Sequence, residues 1–399
     1  MDKGLYINEI NPGARVHGVF CVASKDLRST RAGKPYIALE LMDATGTMEA
    51  RVWEDADRLS GLFDVGDYIL IDAEAQEYNE KCQLKLNTLA PVEQDEVELE
   101  AFVPVAEIDR ERAWDFVKDV VDQLEDRELG ALLEALFSDP AIAEGFRNAP
   151  AARRIHHAAI GGLMEHSLSV LLLCRQVASL YPHLNQQLLE AAAICHDIGK
   201  IKEFSWQRMP IDYTKEGRLL GHIAMGIEML AGAALRAGLD PESDTLLHLK
   251  HIVLSHHGRR EYGSPVLPMT EEAMVFHMMD DLDAKINYLG GLKEERDGSL
   301  EEDQHAWSSY QRLFERFFLL NGQRCLNPAR QLSRYLERGA PRGGGAAGSE
   351  AAMPGAKAPG GAGGTGAQGR GDVEREGASE DLEQAEGARE PSARQPRLF

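Results

Sequence analysis

His166 lies in "GGLMEHSLSV", His196 and Asp197 in "AAAICHDIGK", His222 in "LLGHIAMG", His256 and His257 in "LSHHG", and Asp280 in "VFHMMDDLDAK". Each sits in or beside an apolar run, where an imidazole or carboxylate removed from water without a partner is costly. Their recurrence through one stretch of chain calls for a shared partner, and a metal cluster supplies one. Adjacent positions on a helix lie about 100° apart, so His196 and Asp197 both reach one centre only where a helix ends. Gly199 is the expected residue just past that end. A carboxylate has two oxygens and can bridge two ions, as an imidazole cannot, which singles out Asp197. The histidines outside this pattern, His17, His183, His248, His251 and His305, are expected to be ordinary core residues.

The elements that must hold these residues read as helices. "ERAWDFVKDVVDQLEDRELGALLEALF" returns apolar residues at intervals of three and four, and Pro140, Pro150, Pro182, Pro210 and Pro241 mark breaks. An all-helical region is therefore expected to about Leu336. The chain before it alternates apolar and polar residues between Gly, Asn and Asp turn signals, as in "RVHGVFCVASKDLR", "PYIALELMDATGTMEARVW", "GDYILIDAEAQEY" and "CQLKLNTL". Met48, Ala50 and Val52 share one face there, and Leu84 and Leu86 point inward. Four or five strands without intervening helices suit an all-β OB-fold barrel. Its binding face would offer Tyr36, Trp53 and Tyr78 for stacking and Lys34, Arg51 and Lys85 for phosphates, with Lys25, Arg28, Arg31 and Lys81 nearby, a combination suited to single strands. Taken singly, each of these is more readily a core aromatic or a solvated surface charge.

From about Gly339 the chain turns to Gly, Ala, Pro, Ser and Glu, a composition that cannot bury enough apolar surface to order itself. The expected division is a multidomain chain: an OB-fold nucleic-acid-binding domain at 1–94, a helical connector at 95–150, an all-α metal-bearing domain at 151–336 and a disordered tail at 337–399. With 43% hydrophobic and 27% charged residues the bulk has ordinary globular composition. Its net charge of -22 argues against coating nucleic acid non-specifically, though not against a local basic groove. The five cysteines are scattered without CxxC spacing, which supports neither a disulfide framework nor a zinc ribbon. No apolar run approaches the roughly 20 residues of a membrane span, and Met1 to Ile10 lacks signal-peptide character. A cytoplasmic protein with no membrane partner is expected.

The ordered series H…HD…H…HH…D resembles the HD-domain superfamily of metal-dependent phosphohydrolases. With the longer strings "HHAAIGGLMEHSLSV" and "AAAICHDIGKIKEF" placed after an OB-like barrel, the chain looks like the YhaM-type 3′-to-5′ exoribonucleases from about Gly13 to Leu336. The resemblance implies a first metal surrounded by His166, His196, Asp197 and Asp280, and a second, bridged by Asp197, held by His222, His256 and His257. Asp280 completes the family's HxxD from His277, although Asp281 and Asp283 crowd it. Lys200 follows HD and would meet a substrate phosphate as a point charge. His156 and His157 match the family string without an assigned role. Mixed imidazole and carboxylate ligands suit Mn²⁺, Fe²⁺, Co²⁺ or Zn²⁺ better than Mg²⁺, and the resemblance favours Mn²⁺. Two such ions, roughly 3.5 to 4 Å apart, activate water against phosphorus. The implied partners are single-stranded RNA or DNA, and further copies of the chain as a homo-oligomer. Two other readings stand beside it: a phosphohydrolase of nucleotides or cyclic dinucleotides, whose GYP motif is here "YGSP", and an OB-type binding protein that has lost activity.

Overall fold

A computed structural model describes residues 2–79, 81–152, 159–207, 209–294 and 307–320. The tail at 337–399, His156, His157, His305 and Cys325 lie outside them.

Five strands come first: β1 (Arg15–Ser29), β2 (Pro35–Asp43), β3 (Gly46–Val52), β4 (Tyr68–Tyr78) and β5 (Lys81–Val92), with one helical turn, α1 (Ala56–Leu59), between β3 and β4. They close as β1-β2-β3-β5-β4, with β1 antiparallel to β4 and β3 parallel to β5. This is the OB-fold order, and closure removes the sheet edges that would otherwise invite pairing with other chains. The alternation in the sequence is what fills it: Val16, Phe20, Val22, Ile37, Leu39, Leu41, Ala50, Val52, Ile69, Ile71, Leu84 and Leu86 form the interior. The N-terminal segment is strapped across the barrel by Lys3, whose ammonium meets Asp43 at 2.7 Å.

The helices follow: α2 (Arg110–Asp122), α3 (Arg127–Phe137), α4 (Pro140–Asn148), α5 (Gly162–Leu180), α6 (Gln186–Cys195), α7 (Lys200–Glu203), α8 (Lys215–Arg236), α9 (Asp244–Ser255) and α10 (Glu271–Glu294). The helical run from Glu111 to Phe137 divides in two because Asp126 caps a new start, accepting the N–H groups of Glu128 and Leu129. Pro140 opens α4 at its first turn, where its missing N–H costs nothing. The segment expected as a connector packs into the bundle, α2 on α5 and α3 on α6 and α8. Helix α8 is long and apolar enough to cross a membrane, contrary to the expectation that no such run exists. It breaks at Gly221, however, and buries His222, Met225, Met229, Leu230 and Ala233 within the bundle, as a core helix does.

Barrel and bundle share a second core. Val19, Cys21, Tyr68 and Val92 of the barrel pack on Phe102, Val103, Ile160, Phe204, Met209 and Ile211. Gly66 is needed at this seam, where any Cβ would strike the Met209 carbonyl at 2.5 Å.

Candidate metal centre

Helix α5 brings His166 to the middle of the bundle, the end of α6 brings His196 and Asp197, the resumed half of α8 brings His222, the end of α9 brings His256 and His257, and α10 brings Asp280. All seven are buried. Ligand atoms of His166, His196 and Asp197 lie within 4.8 Å of one another, and those of His222, His256 and His257 do likewise. Asp197 stands between the two groups. Its Oδ2 faces His196 Nε2 at 3.3 Å and His166 Nε2 at 3.8 Å, while its Oδ1 faces His222 Nε2 at 3.4 Å and His256 Nε2 at 3.6 Å. Asp280 Oδ1 closes the first group at 3.0 Å from His166 and 3.6 Å from His196.

The ring orientations follow one rule. Each imidazole gives its Nδ1–H to a fixed acceptor: His196 to the Ala193 carbonyl (3.1 Å), His256 to Val253 (2.7 Å), His257 to Tyr262 (2.9 Å), His166 to Asp283 (2.8 Å) and His222 to Glu203 (3.2 Å). In a neutral ring this leaves the Nε2 lone pair aimed inward. Among the described residues, Nε2 of His196, His222 and His256, Oδ1 of Asp197 and Oδ2 of Asp280 are buried without a hydrogen-bond partner. Five inward-facing polar atoms left that way would cost the fold dearly, and divalent metal would satisfy them. The residues present therefore fit divalent metal.

Charge is equally concentrated. Burial alone would lower the His196 pKa, but Asp197 and Asp280 beside it prevail and raise it to about 10. Burial likewise opposes ionisation of Asp197 and Asp280, yet Lys200 and His196 for the first, and His166 and His196 for the second, hold both well below the usual carboxylate range. His256 and His257 are lowered, chiefly by burial. At one side a cleft of about 800 Å³ reaches His222 and His257, walled by Tyr213, Arg218, Leu219, Leu220, Tyr262 and Pro265.

Several expectations need correcting. Gly199 is not a left-handed helix end: its φ is -64°. It is glycine because a Cβ would come 2.0 Å from the His222 carbonyl and 2.7 Å from the Gly226 nitrogen, where the turn after α6 crosses α8. Lys200 points inward and ion-pairs with Asp197 Oδ2 at 2.6 Å instead of standing open to a phosphate. Of the aspartates near Asp280, Asp281 turns outward to Lys285, and Asp283 backs His166. His17, His183 and His248 are exposed and His251 is half-buried, so none is a core residue.

The sequence reading passed over Glu203, Asp283 and His277 as working residues. His277 gives its Nδ1–H to the His256 carbonyl at 2.9 Å, and Gly258 beside it leaves no room for a Cβ against the His277 ring. Their only signal was that they too are polar residues close to apolar runs.

On the barrel, Tyr36 at the start of β2 and Trp53 just past β3 stack on each other with ring centroids 4.7 Å apart. Lys34 is exposed in the β1–β2 turn, and Tyr78 is exposed at the end of β4, beside the β4–β5 turn. These are the strand face and the two loops with which OB barrels take up oligonucleotides. Lys85 is exposed and lies opposite Arg51 in the β3–β5 register. The basic set is smaller than expected, because Arg51 pairs with Glu49 at 2.7 Å, Arg28 with Asp26 at 2.6 Å and Lys25 with Asp64 at 2.7 Å.

A barrel of this order packed on a bundle with an H…HD…H…HH…D centre defines an OB-fold protein of the HD class of metal-dependent phosphohydrolases. The family model for the HD domain matches residues 163–285, and that for the OB-fold nucleic acid binding domain matches 14–101. The chain is 34% identical to the 3′-5′ exoribonuclease YhaM of Bacillus subtilis over 290 residues, 72% of this chain and 90% of that one. With YhaM of Oceanobacillus iheyensis it shares 34% over 295 residues, 74% and 91% of the two chains. It belongs to the YhaM family of 3′-5′ exoribonucleases. Among solved structures, the second OB-fold domain of replication protein A from Methanococcus maripaludis is 17% identical over 23% of this chain and 95% of its own, with a TM-score of 0.19. The barrel assignment rests on strand order, not on that likeness.

Proposed function

We propose that the enzyme degrades single-stranded RNA from its 3′ end, releasing nucleoside 5′-monophosphates, with single-stranded DNA as a second substrate. The observation that carries this reading is the convergence of imidazole nitrogens and carboxylate oxygens on both sides of Asp197. The first ion would be held by His166, His196, Asp197 and Asp280, the second by Asp197, His222, His256 and His257. Such ions, Mn²⁺ being favoured by family likeness, would supply a water made nucleophilic near neutral pH and would offset charge on the phosphoryl oxygens.

The chain's own residues do the rest. Asp197 sets the spacing of the two groups by giving one oxygen to each. Lys200, held on Asp197 at 2.6 Å, keeps that carboxylate ionised between the two groups. The cleft beside His222 and His257 would take one terminal nucleoside, with Tyr213, Tyr262 and the leucines that wall it available to its base. Tyr36 and Trp53 grip the strand upstream by stacking, which tolerates any sequence. Several copies of the chain could then gather barrels around one strand, as a homo-oligomer.

With a 5′-labelled single-stranded RNA and Mn²⁺, wild-type enzyme should give a descending ladder and nucleoside 5′-monophosphates, and Asp197→Ala should give neither. Intact RNA in a metal-loaded wild type, with turnover of a cyclic dinucleotide or mononucleotide instead, would move the reading to a small-molecule phosphohydrolase.

A further inference from the structure

His196 and His256 find their Nδ1 acceptors in the carbonyls three residues earlier in their own helices, Ala193 and Val253. His222 has no such partner in line, because the backbone just before it breaks at Gly221, with φ 74° and ψ 157°. A side chain from another element takes that place. Glu203, at the end of α7 and buried, accepts the His222 ring N–H with both oxygens at 3.2 Å. Its Oε1 also accepts the His222 backbone N–H at 3.0 Å, and so caps the helix that resumes after the break.

Glu203 is itself held at both ends. Its carbonyl accepts the Thr214 N–H at 2.9 Å and lies so close to Gly217 that any Cβ there would come within 2.2 Å. One turn earlier on α7, Lys200 ion-pairs with Asp197. The single turn of α7 therefore touches both sides of the centre.

We propose that Glu203 is a positioning residue: it orients His222 and, through it, completes the ion site made with His256 and His257, while leaving the Asp280 side of the centre to stand alone. Asp283 does the corresponding work behind His166. The inference rests on the two-ion reading above but not on the identity of the substrate. Carboxylates behind a ligating histidine typically account for tenfold to a hundredfold in metal affinity.

The full chain is stripped with chelator, and wild type, Glu203→Ala and Glu203→Gln are titrated with Mn²⁺ by calorimetry and with Co²⁺ by visible absorption. Bound metal per chain is measured by elemental analysis. Wild type should take two ions. Glu203→Ala should keep one, bind the other roughly tenfold to a hundredfold more weakly, and lose one component of the Co²⁺ spectrum. Glu203→Gln keeps an acceptor for the ring N–H and should recover the spectrum and most of the affinity. Circular dichroism of the stripped proteins separates this from unfolding, which would weaken both ions together. Two ions held with wild-type affinity by Glu203→Ala, or a Gln variant as impaired as the Ala variant, would overturn the proposal. Were these metal results as expected while RNA stayed intact, the exonuclease reading would fall and the role of Glu203 would stand.

Discussion

His196 shows how one residue carries two opposed demands. As a ligand it must be neutral, yet the carboxylates facing it raise its pKa from 6.5 to about 10 in the metal-free site. Metal and proton therefore compete for its Nε2. A group whose folded pKa exceeds its unfolded value stabilises the fold fully below the unfolded value and loses that contribution as pH climbs toward the folded one. The chelated protein should accordingly become less stable as pH rises from 6.5 toward 10, and the Mn²⁺-loaded protein should not follow it, because the ion takes over the proton's place. Thermal midpoints of both forms across that range test this. A chelated protein whose midpoint is flat would mean that Asp197 and Asp280 do not hold a proton on His196.

Helix α8 delivers His222 only because it breaks. At φ 74° and ψ 157° Gly221 occupies backbone space essentially closed to residues with a Cβ. Gly221→Ala should cost about 1–3 kcal/mol or straighten the helix, and either result moves His222 off Asp197. The expected outcome is a lower thermal midpoint together with loss of one bound ion, read by melting and elemental analysis. Preserved metal content would show that the break is incidental. The same element explains why sequence periodicity is a poor guide here: α8 passes by length and composition for a membrane span, and its one departure from regularity is the part that serves the site.

Across the whole molecule, barrel and bundle are not beads on a string. Phe204, Met209 and Ile211, in the segment that follows Glu203, pack on barrel residues Val19, Cys21, Tyr68 and Val92. Removing the barrel would bare this apolar seam as well as abolish any grip on RNA, so truncation mixes two effects. Point changes on the outer face separate them. Trp53→Ala, which also frees Tyr36 from its stack, should raise KM for long single-stranded RNA by roughly 5-fold to 150-fold, the worth of one stacked base at about 1–3 kcal/mol. Its kcat and metal content should stay near wild type. An unchanged KM, measured at fixed salt, would remove this face from the RNA path.

The two fold types and the residues gathered at the centre were legible in the sequence because each leaves a local mark. Alternation at period two writes a barrel strand, a three-to-four spacing writes a helix, and charged His and Asp inside apolar runs announce a shared partner. What lay beyond reach was everything set by contact between distant segments. The reason for Gly199 is the passage of α8 over it, not a helix end. Lys200 turns inward to Asp197, and Arg51 is neutralised by Glu49, two positions away on the same strand, because a side chain's partner depends on which neighbour the fold brings within about 4 Å. Glu203 and Asp283 carry no periodic signal at all. Only tertiary structure sets them behind His222 and His166, since a hydrogen bond to a ring nitrogen depends on distance and angle, which residue order does not contain.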